Sequence, residues 1–160
     1  VEVTLRELKP GDREPIKSLL EATAVFRPEE IEVATELLDH ALTKPGQQDY
    51  NFIVAEAGGK VAGYACWGPT PGTRGTWDLY WIATDPSLHG KGAGRRLMAA
   101  AENDMARRGG RLCVVETSGL ESYEKTRRFY LRGGYALAAR IADYYASGDD
   151  LCIFTKRLAG

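Results

Sequence analysis

The segment DPSLHGKGAGRRLMAA sets Gly90, Gly92 and Gly94 at alternate positions, just before a run that reads as helix. Glycine costs folding entropy, so a cluster of it at the mouth of a helix implies that something needs the bare backbone. Consecutive N–H groups in such a turn, with a helix dipole behind them, make a concave site for an anion. Two familiar phosphate motifs do not fit. A P-loop needs Lys followed by Ser or Thr, whereas Lys60 precedes Val61 and Lys91 precedes Gly92. A dinucleotide fingerprint, Gly-x-Gly-x-x-Gly, meets Arg95 or Leu97 at its third glycine. On the loop alone, a plain turn into a helix competes with the anion site.

Acids and phenols are the other groups with chemistry to offer. Asp78 lies six residues before Thr84 in an extended run, roughly 20 Å at strand rise. Glu116 closes a strand face otherwise made of Leu112 and Val114. Either acid can take a proton from a reacting group, or serve as a structural acceptor for backbone or arginine donors. Tyr123, Thr126 and Tyr130 are spaced to share one helical face, which makes that face unusually polar. Tyr130 reads as a proton or hydrogen-bond donor, or as a core phenol.

The remaining sequence must position these groups. At 160 residues the chain supports one domain, 1–160, with a substantial core. Hydrophobic residues make up 44% and charged ones 27%, with a formal net charge of −1. That balance gives no electrostatic case for nucleic acid or an anionic membrane as partner. No apolar run reaches the length of a membrane span, and no signal segment opens the chain. Cys66, Cys113 and Cys152 each sit in an apolar strand-like run, without Cys-x-x-Cys spacing. They read as buried free thiols in a reducing, cytoplasmic setting. His40 and His89 are too few and too far apart for a metal cluster, so no metal is expected.

The periodicity predicts a strand in VEVTLREL and a helix in GDREPIKSLLEAT, with Ile16, Leu19, Leu20 and Thr23 at helical spacing. RPEEIEVATELLDHAL predicts a second helix, with Pro28 in its first turn and Ile31, Ala34, Leu38 and Ala41 as its apolar stripe. YNFIVAEAGGKVAGYACWGP predicts a hairpin around Gly58-Gly59, and WDLYWIAT a further strand. A helix bearing Leu97, Met98, Ala101 and Met105 follows the glycines, then a strand in RLCVVET and a helix in SYEKTRRFYLR. YALAARIADYY and LCIFTKRL finish as strands around the turn-like ASGDD. Trp77–Thr84, the helix and Arg111–Thr117 form a βαβ unit with parallel strands and a right-handed crossover. Ligands in such sheets bind beyond the carboxyl ends of the parallel strands, where the glycine loop departs. Position and chemistry then agree on an anion site.

This order, β-α-α-β-β-β-α-β-α-β-β, with HGKGAG after the fourth strand, resembles the GNAT superfamily of N-acetyltransferases over essentially the whole chain. LYWIATDPSLHGKGAGRRLM is similar to the family's acetyl-CoA signature Gln/Arg-x-x-Gly-x-Gly/Ala, which falls on His89, Gly92 and Gly94. TRRFYLRGGY is similar to its Phe-Tyr-x-x-x-Gly-Phe/Tyr segment. The resemblance implies a mixed α/β sheet whose fourth and fifth strands are parallel and splayed. Acetyl-CoA is the implied co-substrate. Its pyrophosphate would lie on the backbone of Gly90, Lys91, Gly92, Ala93, Gly94 and Arg95, with charge from Lys91 or Arg95. Its pantetheine arm would bond to Ile82, Ala83 and Thr84 like an added strand. His89 departs from the usual Gln or Arg but keeps an N–H donor for phosphate. Tyr123 and Thr126 join the coenzyme set on the helical face that ends in Tyr130.

The reaction the resemblance implies is acetyl transfer to a primary amine by direct attack in a ternary complex. The amine must lose a proton, because a free alkylamine has a pKa near ~10. Asp78, eleven residues before His89, matches a position where some members carry a basic Glu; Glu116 is the rival base, and a water relay the third route. Tyr130 matches the phenol that assists the departing thiolate. Asp78, Glu116 and Asp143 would draw a cationic amine, with Trp67, Trp77, Tyr144 and Tyr145 as apolar walls. A small amine or amino acid is favoured over a protein amino group, and a homodimer stays open. The competing function is a non-catalytic acyl-CoA-binding sensor using the same loop.

Overall fold

The computed structural model describes residues 2–158. Its elements follow the expected order: β1 (Val3–Arg6), α1 (Arg13–Ala22), α2 (Pro28–Thr43), β2 (Asn51–Ala57), β3 (Lys60–Pro69), β4 (Thr76–Thr84), α3 (Ala93–Arg107), β5 (Leu112–Ser118), α4 (Glu124–Arg132), β6 (Ala136–Ala146) and β7 (Asp149–Arg157). The seven strands form one mixed sheet in the order β1-β2-β3-β4-β5-β7-β6. The chain divides into two compact units. One holds residues 1–68 and 80–103, the other 69–79 and 104–160.

In the first unit, α1 and α2 supply the apolar stripes read from the sequence. Ile16, Leu19 and Leu20 of α1 and Ile31, Ala34 and Leu38 of α2 pack with Val54, Tyr64, Cys66 and Ala83 of the sheet. Each fully buried Ile, Leu or Val among them contributes about 1.5–3 kcal/mol on burial. Pro28 opens α2, and the Glu30 carboxylate closes its first turn by accepting from the Arg27 N–H at 3.0 Å. The β2–β3 hairpin turns on Gly58 and Gly59, whose φ values of 59° and 75° explain why both must be glycine-like. Tyr80 and Trp81, though consecutive, lie on one face of β4. A Cβ on Gly68 would stand 3.1 Å from the Tyr80 ring, and Trp81 packs edge-on against Phe26 and into the α1–α2 core. The alternation of β4 therefore slips at this point.

In the second unit, β5 pairs with β7 along its whole length, from Leu112↔Arg157 to Ser118↔Leu151. Its parallel ladder with β4 covers only Thr76↔Leu112, Trp77↔Cys113 and Asp78↔Val114. The ladder ends at the Asp78↔Val114 pair. Helix α4 packs on the β5 face that carries Cys113 and Val115. The Tyr130 ring lies 5.9 Å from that of Phe154, the partner of Val115, and the Tyr135 hydroxyl donates to Cys113 Sγ at 3.2 Å. All three cysteines are buried free thiols.

Two boundaries differ from expectation for local reasons. Helix α4 starts only at Glu124, because Glu121–Tyr123 forms a 3-10 turn first. The final hairpin turns on residues 147 and 148 alone. Asp149 and Asp150 already belong to β7, and Asp149 is buried against the Ser118 hydroxyl at 2.5 Å. No helix among the described residues is long and apolar enough to cross a membrane.

Candidate active site

The glycine loop leaves β4 at Thr84 and passes through a 3-10 turn, Pro86–Leu88, before α3 begins at Ala93. Asp85 organises that turn: its carboxylate accepts from the Ser87 N–H at 2.9 Å and the Ser87 hydroxyl at 2.8 Å. Those bonds, with the nearby His89 charge as a smaller factor, hold the Asp85 pKa below the ordinary carboxylate value. Gly90 and Gly92 both have φ of 82°, the left-handed region where a side chain is strained. Gly94, by contrast, lies within the first turn of α3.

The first bond of α3 runs from the Arg96 N–H to the Gly92 carbonyl at 3.1 Å. The amides of Ala93, Gly94 and Arg95 therefore precede the first residue that has an acceptor one turn back. The His89 and Lys91 amides are spent on the Pro86 and Leu88 carbonyls, at 3.3 and 3.1 Å. The donor set for an anion thus narrows from the whole stretch 90–95 to Gly90, Gly92 and the opening of α3. The side chains of His89, Lys91 and Arg95 are exposed around it. Among the residues expected along the pantetheine arm, Ile82 and Thr84 are partly exposed, while Ala83 is buried in the α1–α2 core.

The acids lie in the second unit. Asp78 stands opposite Val114 in the parallel ladder, and Glu116 follows Val114 by two residues on β5. Side chains directly opposite share a face, and so do alternate residues of a strand. Asp78 and Glu116 therefore lie on one face, near enough for the Asp78 charge to act on Glu116. Glu116 is solvent-exposed overall, yet protein packed around its carboxyl raises its pKa, and the Asp78 charge raises it further. The Asp78 Oδ2 accepts a hydrogen bond from the Thr70 hydroxyl at 2.7 Å.

Tyr130 belongs to the opposite face of β5. It is 5% exposed, packed among Phe129, Tyr135 and Phe154. Burial, and to a lesser extent Cys113, pushes its pKa well above that of an ordinary phenol. No protein group among the described residues bonds its hydroxyl. Tyr123 is buried in the 3-10 turn, one element before Tyr130, and Thr126 is half-buried on α4. The shared face is thus assembled from two elements.

Several residues expected around the acceptor have other duties. Trp67 and Trp77 are 4% and 5% exposed, so they are core and not walls of an open site. Trp77 lies under the Arg108 guanidinium at 4.7 Å and fills the space a side chain on Gly110 would occupy. Asp143 closes the last hairpin, with Oδ1 accepting from the Gly148 N–H at 2.7 Å. Tyr144 and Tyr145 are exposed, as expected. Thr70 had no signal of its own: it is one polar residue in a Gly- and Pro-rich loop, and only the turn of that loop carries it back to Asp78. No group of three or more His, Cys, Asp or Glu suited to a metal occurs among the described residues.

The sequence profile of the acetyltransferase (GNAT) domain matches residues 48–137. A crystal structure of a GNAT-family protein from Desulfovibrio desulfuricans superposes with a TM-score of 0.91 at 42% identity, covering 99% of this chain and 100% of that one. The chain belongs to the GNAT acetyltransferase family. It is an acetyl-transferring enzyme.

More distant GNAT structures share the fold. The ribosomal-protein-S18-alanine N-acetyltransferase of Escherichia coli superposes at a TM-score of 0.79 with 18% identity, covering 99% of this chain and 96% of that one. The Salmonella typhimurium protein yncA, solved with its cofactor acetyl-CoA, gives 0.77 at 19% identity, covering 100% and 96%. No curated protein matches the chain.

Proposed function

We propose that this GNAT enzyme is a single catalytic domain that transfers the acetyl group of acetyl-CoA to a primary amine, by direct attack in a ternary complex. The observation that supports this reading is the construction of β5. One face carries Glu116 beside Asp78, and the other lies under Tyr130, at the level where the ladder to β4 has ended. The acids would receive the amine, and the phenol packed on the same strand would serve the departing sulfur.

The glycine loop serves the donor. Amides at the opening of α3 take the pyrophosphate, with Lys91, Arg95 or the His89 imidazole adding donors, and Ile82–Thr84 accompany the pantetheine arm. Tyr123 and Thr126 complete the coenzyme side. At the acceptor end, a carboxylate takes one proton from the ammonium. The freed nitrogen lone pair attacks the thioester carbonyl, the C–N bond forms, and collapse of the tetrahedral adduct breaks the C–S bond. The nitrogen's second proton leaves with the coenzyme thiol. Tyr130 suits the role of hydrogen-bond donor to the departing sulfur. With a pKa raised above ~10, it does not surrender its proton fully to a thiolate whose conjugate acid lies near ~8.5. The cysteines play no covalent part; burial raises the Cys66 thiol well above its usual pKa.

Asp78 and Glu116, which have no cationic partner among the described residues, favour a cationic acceptor, with a small amine or amino acid preferred over a protein. Release of coenzyme A over a panel of amines, amino acids and peptides tests the reading. Acetyl-CoA-dependent turnover on a primary amine is expected. Tight coenzyme binding with no turnover on any amine would leave the loop as a sensor and overturn it.

A further inference from the structure

We propose that Thr70 is a positioning residue for the acid pair: it holds Asp78 as the fixed anchor for the acceptor's ammonium and leaves Glu116 to take the proton. The proposal rests on the acetyl-transfer reading above and divides the labour that reading leaves open.

The hydroxyl that bonds Asp78 is itself held rigidly. The Thr70 N–H donates to the Thr76 carbonyl at 2.9 Å, and the Thr73 hydroxyl donates to the Thr70 carbonyl at 2.8 Å. Gly72 and Gly75, with φ of 76° and 86°, permit so tight a closure. Arg111 pins the far side of the loop by donating twice to the Arg74 carbonyl, at 2.8 and 2.5 Å. The loop thus presents Thr70 Oγ1 at a fixed point, 2.7 Å from Asp78 Oδ2. One carboxylate oxygen is committed, its orientation is set, and Oδ1 has no partner among the described residues.

Glu116 is in the opposite condition. No hydrogen bond or ion pair holds its carboxyl among the described residues, and it is one methylene longer. On its face, β7 offers Leu151, Ile153 and Thr155, none of which ionises, so the ionisable group facing it is Asp78 on β4. Partial desolvation, and to a lesser extent that charge, raises the Glu116 pKa, the direction that makes a carboxylate a better base. Two acids whose surroundings differ in this way divide into an anchor and a base. The step balances: one proton passes from R-NH3+ to the Glu116 carboxylate, giving R-NH2 and a neutral carboxyl, which returns the proton to solvent after transfer.

The test compares pH profiles of kcat and kcat/KM for wild type, Thr70→Val, Thr70→Ser, Asp78→Asn and Glu116→Gln, with the best amine of the panel at saturating acetyl-CoA. Thr70→Val keeps the side-chain shape and both backbone bonds of the loop, so the fold should persist. It should raise KM for the amine about tenfold and move the acid limb of kcat/KM to lower pH, because the Asp78 charge is no longer held beside Glu116. Thr70→Ser should restore both. Asp78→Asn should act mainly on KM and Glu116→Gln mainly on kcat. An unchanged limb and KM in Thr70→Val, or the reverse division between the acids, overturns the proposal. If no amine turns over, the acetyl-transfer reading fails by itself. A carbon-13 NMR titration of Glu116 then decides the positioning claim without substrate: a downward shift in Thr70→Val supports it, and an unmoved titration sinks it.

Discussion

The glycine loop and the acid pair are both small, polar and solvent-facing, yet they are made of different material. The loop is a backbone site. In the proposed reading its working groups are amides, and its demand on the sequence is that positions 90 and 92 tolerate φ of 82°. Any chain that builds such a site must write glycine there. The acid pair is a side-chain site made by register. Asp78 meets Glu116 because Asp78 pairs with Val114, and Asp78 is held because a loop eight residues earlier folds back on itself. Backbone sites announce themselves in sequence; a register site shows its residues there but not their pairing.

The difference can be tested by asking which half-reaction each region controls. The largest effect is expected at the acids. Glu116→Gln removes the base while keeping shape, so kcat should fall by a factor of roughly 10²–10⁴, with acetyl-CoA affinity unchanged. Single-turnover kinetics beside calorimetry of coenzyme binding checks both parts. A normal kcat would return the base to Asp78 or to water.

The loop should give the reciprocal pattern. Gly90 and Gly92 are poor places to test it, since any side chain there strains the backbone and confounds binding with folding. Gly94 sits in the first turn of α3, where helical backbone does not demand glycine. Gly94→Val should weaken acetyl-CoA at least about tenfold, or ~1.4 kcal/mol, and leave KM for the amine in place. Equal affinity in the folded variant, measured by calorimetry, would move the pyrophosphate elsewhere.

These two cases mark what the sequence could show. Element order, the apolar faces of α1 and α2, the hairpin at Gly58-Gly59 and the parallel β4–β5 pair were all readable, because each depends on local period or turn chemistry. The extent of the glycine site was only partly readable: nothing local says that the His89 and Lys91 amides close a turn, or that α3 begins at Ala93. Trp67 and Trp77 looked like site walls because aromatic residues are alike in sequence whether they face a ligand or the core. Asp143 looked like a free acid for want of the two-residue turn that claims it. Thr70 was invisible, since its role depends on a closure between residues eight apart. The tryptophans are decided by non-local packing, whereas the His89, Lys91 and Asp143 bonds are short-range but depend on a turn conformation that residue type alone does not fix.

Tyr130 tests the middle ground, a residue found by motif whose role depends on packing. Tyr130→Phe deletes a hydroxyl that no described protein group bonds, and it retains the ring contacts to Tyr135 and Phe154. Stability should hardly change. Turnover should fall about tenfold, the low end for a donor that assists a leaving group already near pKa ~8.5. A parent rate with chemistry limiting would make the phenol structural.

The smallest effect separates the two regions by stability alone. Glu116 has a raised pKa in the folded protein, so the folded state binds that proton more tightly than the unfolded chain does. Whatever stability this confers is fully present below the ordinary Glu value near ~4.3 and is lost as pH rises through the raised value. At neutral pH the ionised Glu116 is therefore a net cost, in part because of Asp78. Gln has nearly the same shape and cannot ionise. Glu116→Gln should raise stability at pH 7 by about 0.5 kcal/mol, the screened scale of an exposed charge interaction, which amounts to roughly 1–2 °C in Tm. The gain should fade toward pH 4, where wild type is protonated as well. Urea titrations at the two pH values decide it. A variant less stable than wild type at pH 7 would mean that the Glu116 charge is welcome in the fold, and the pair would lose its claim to be strained for function.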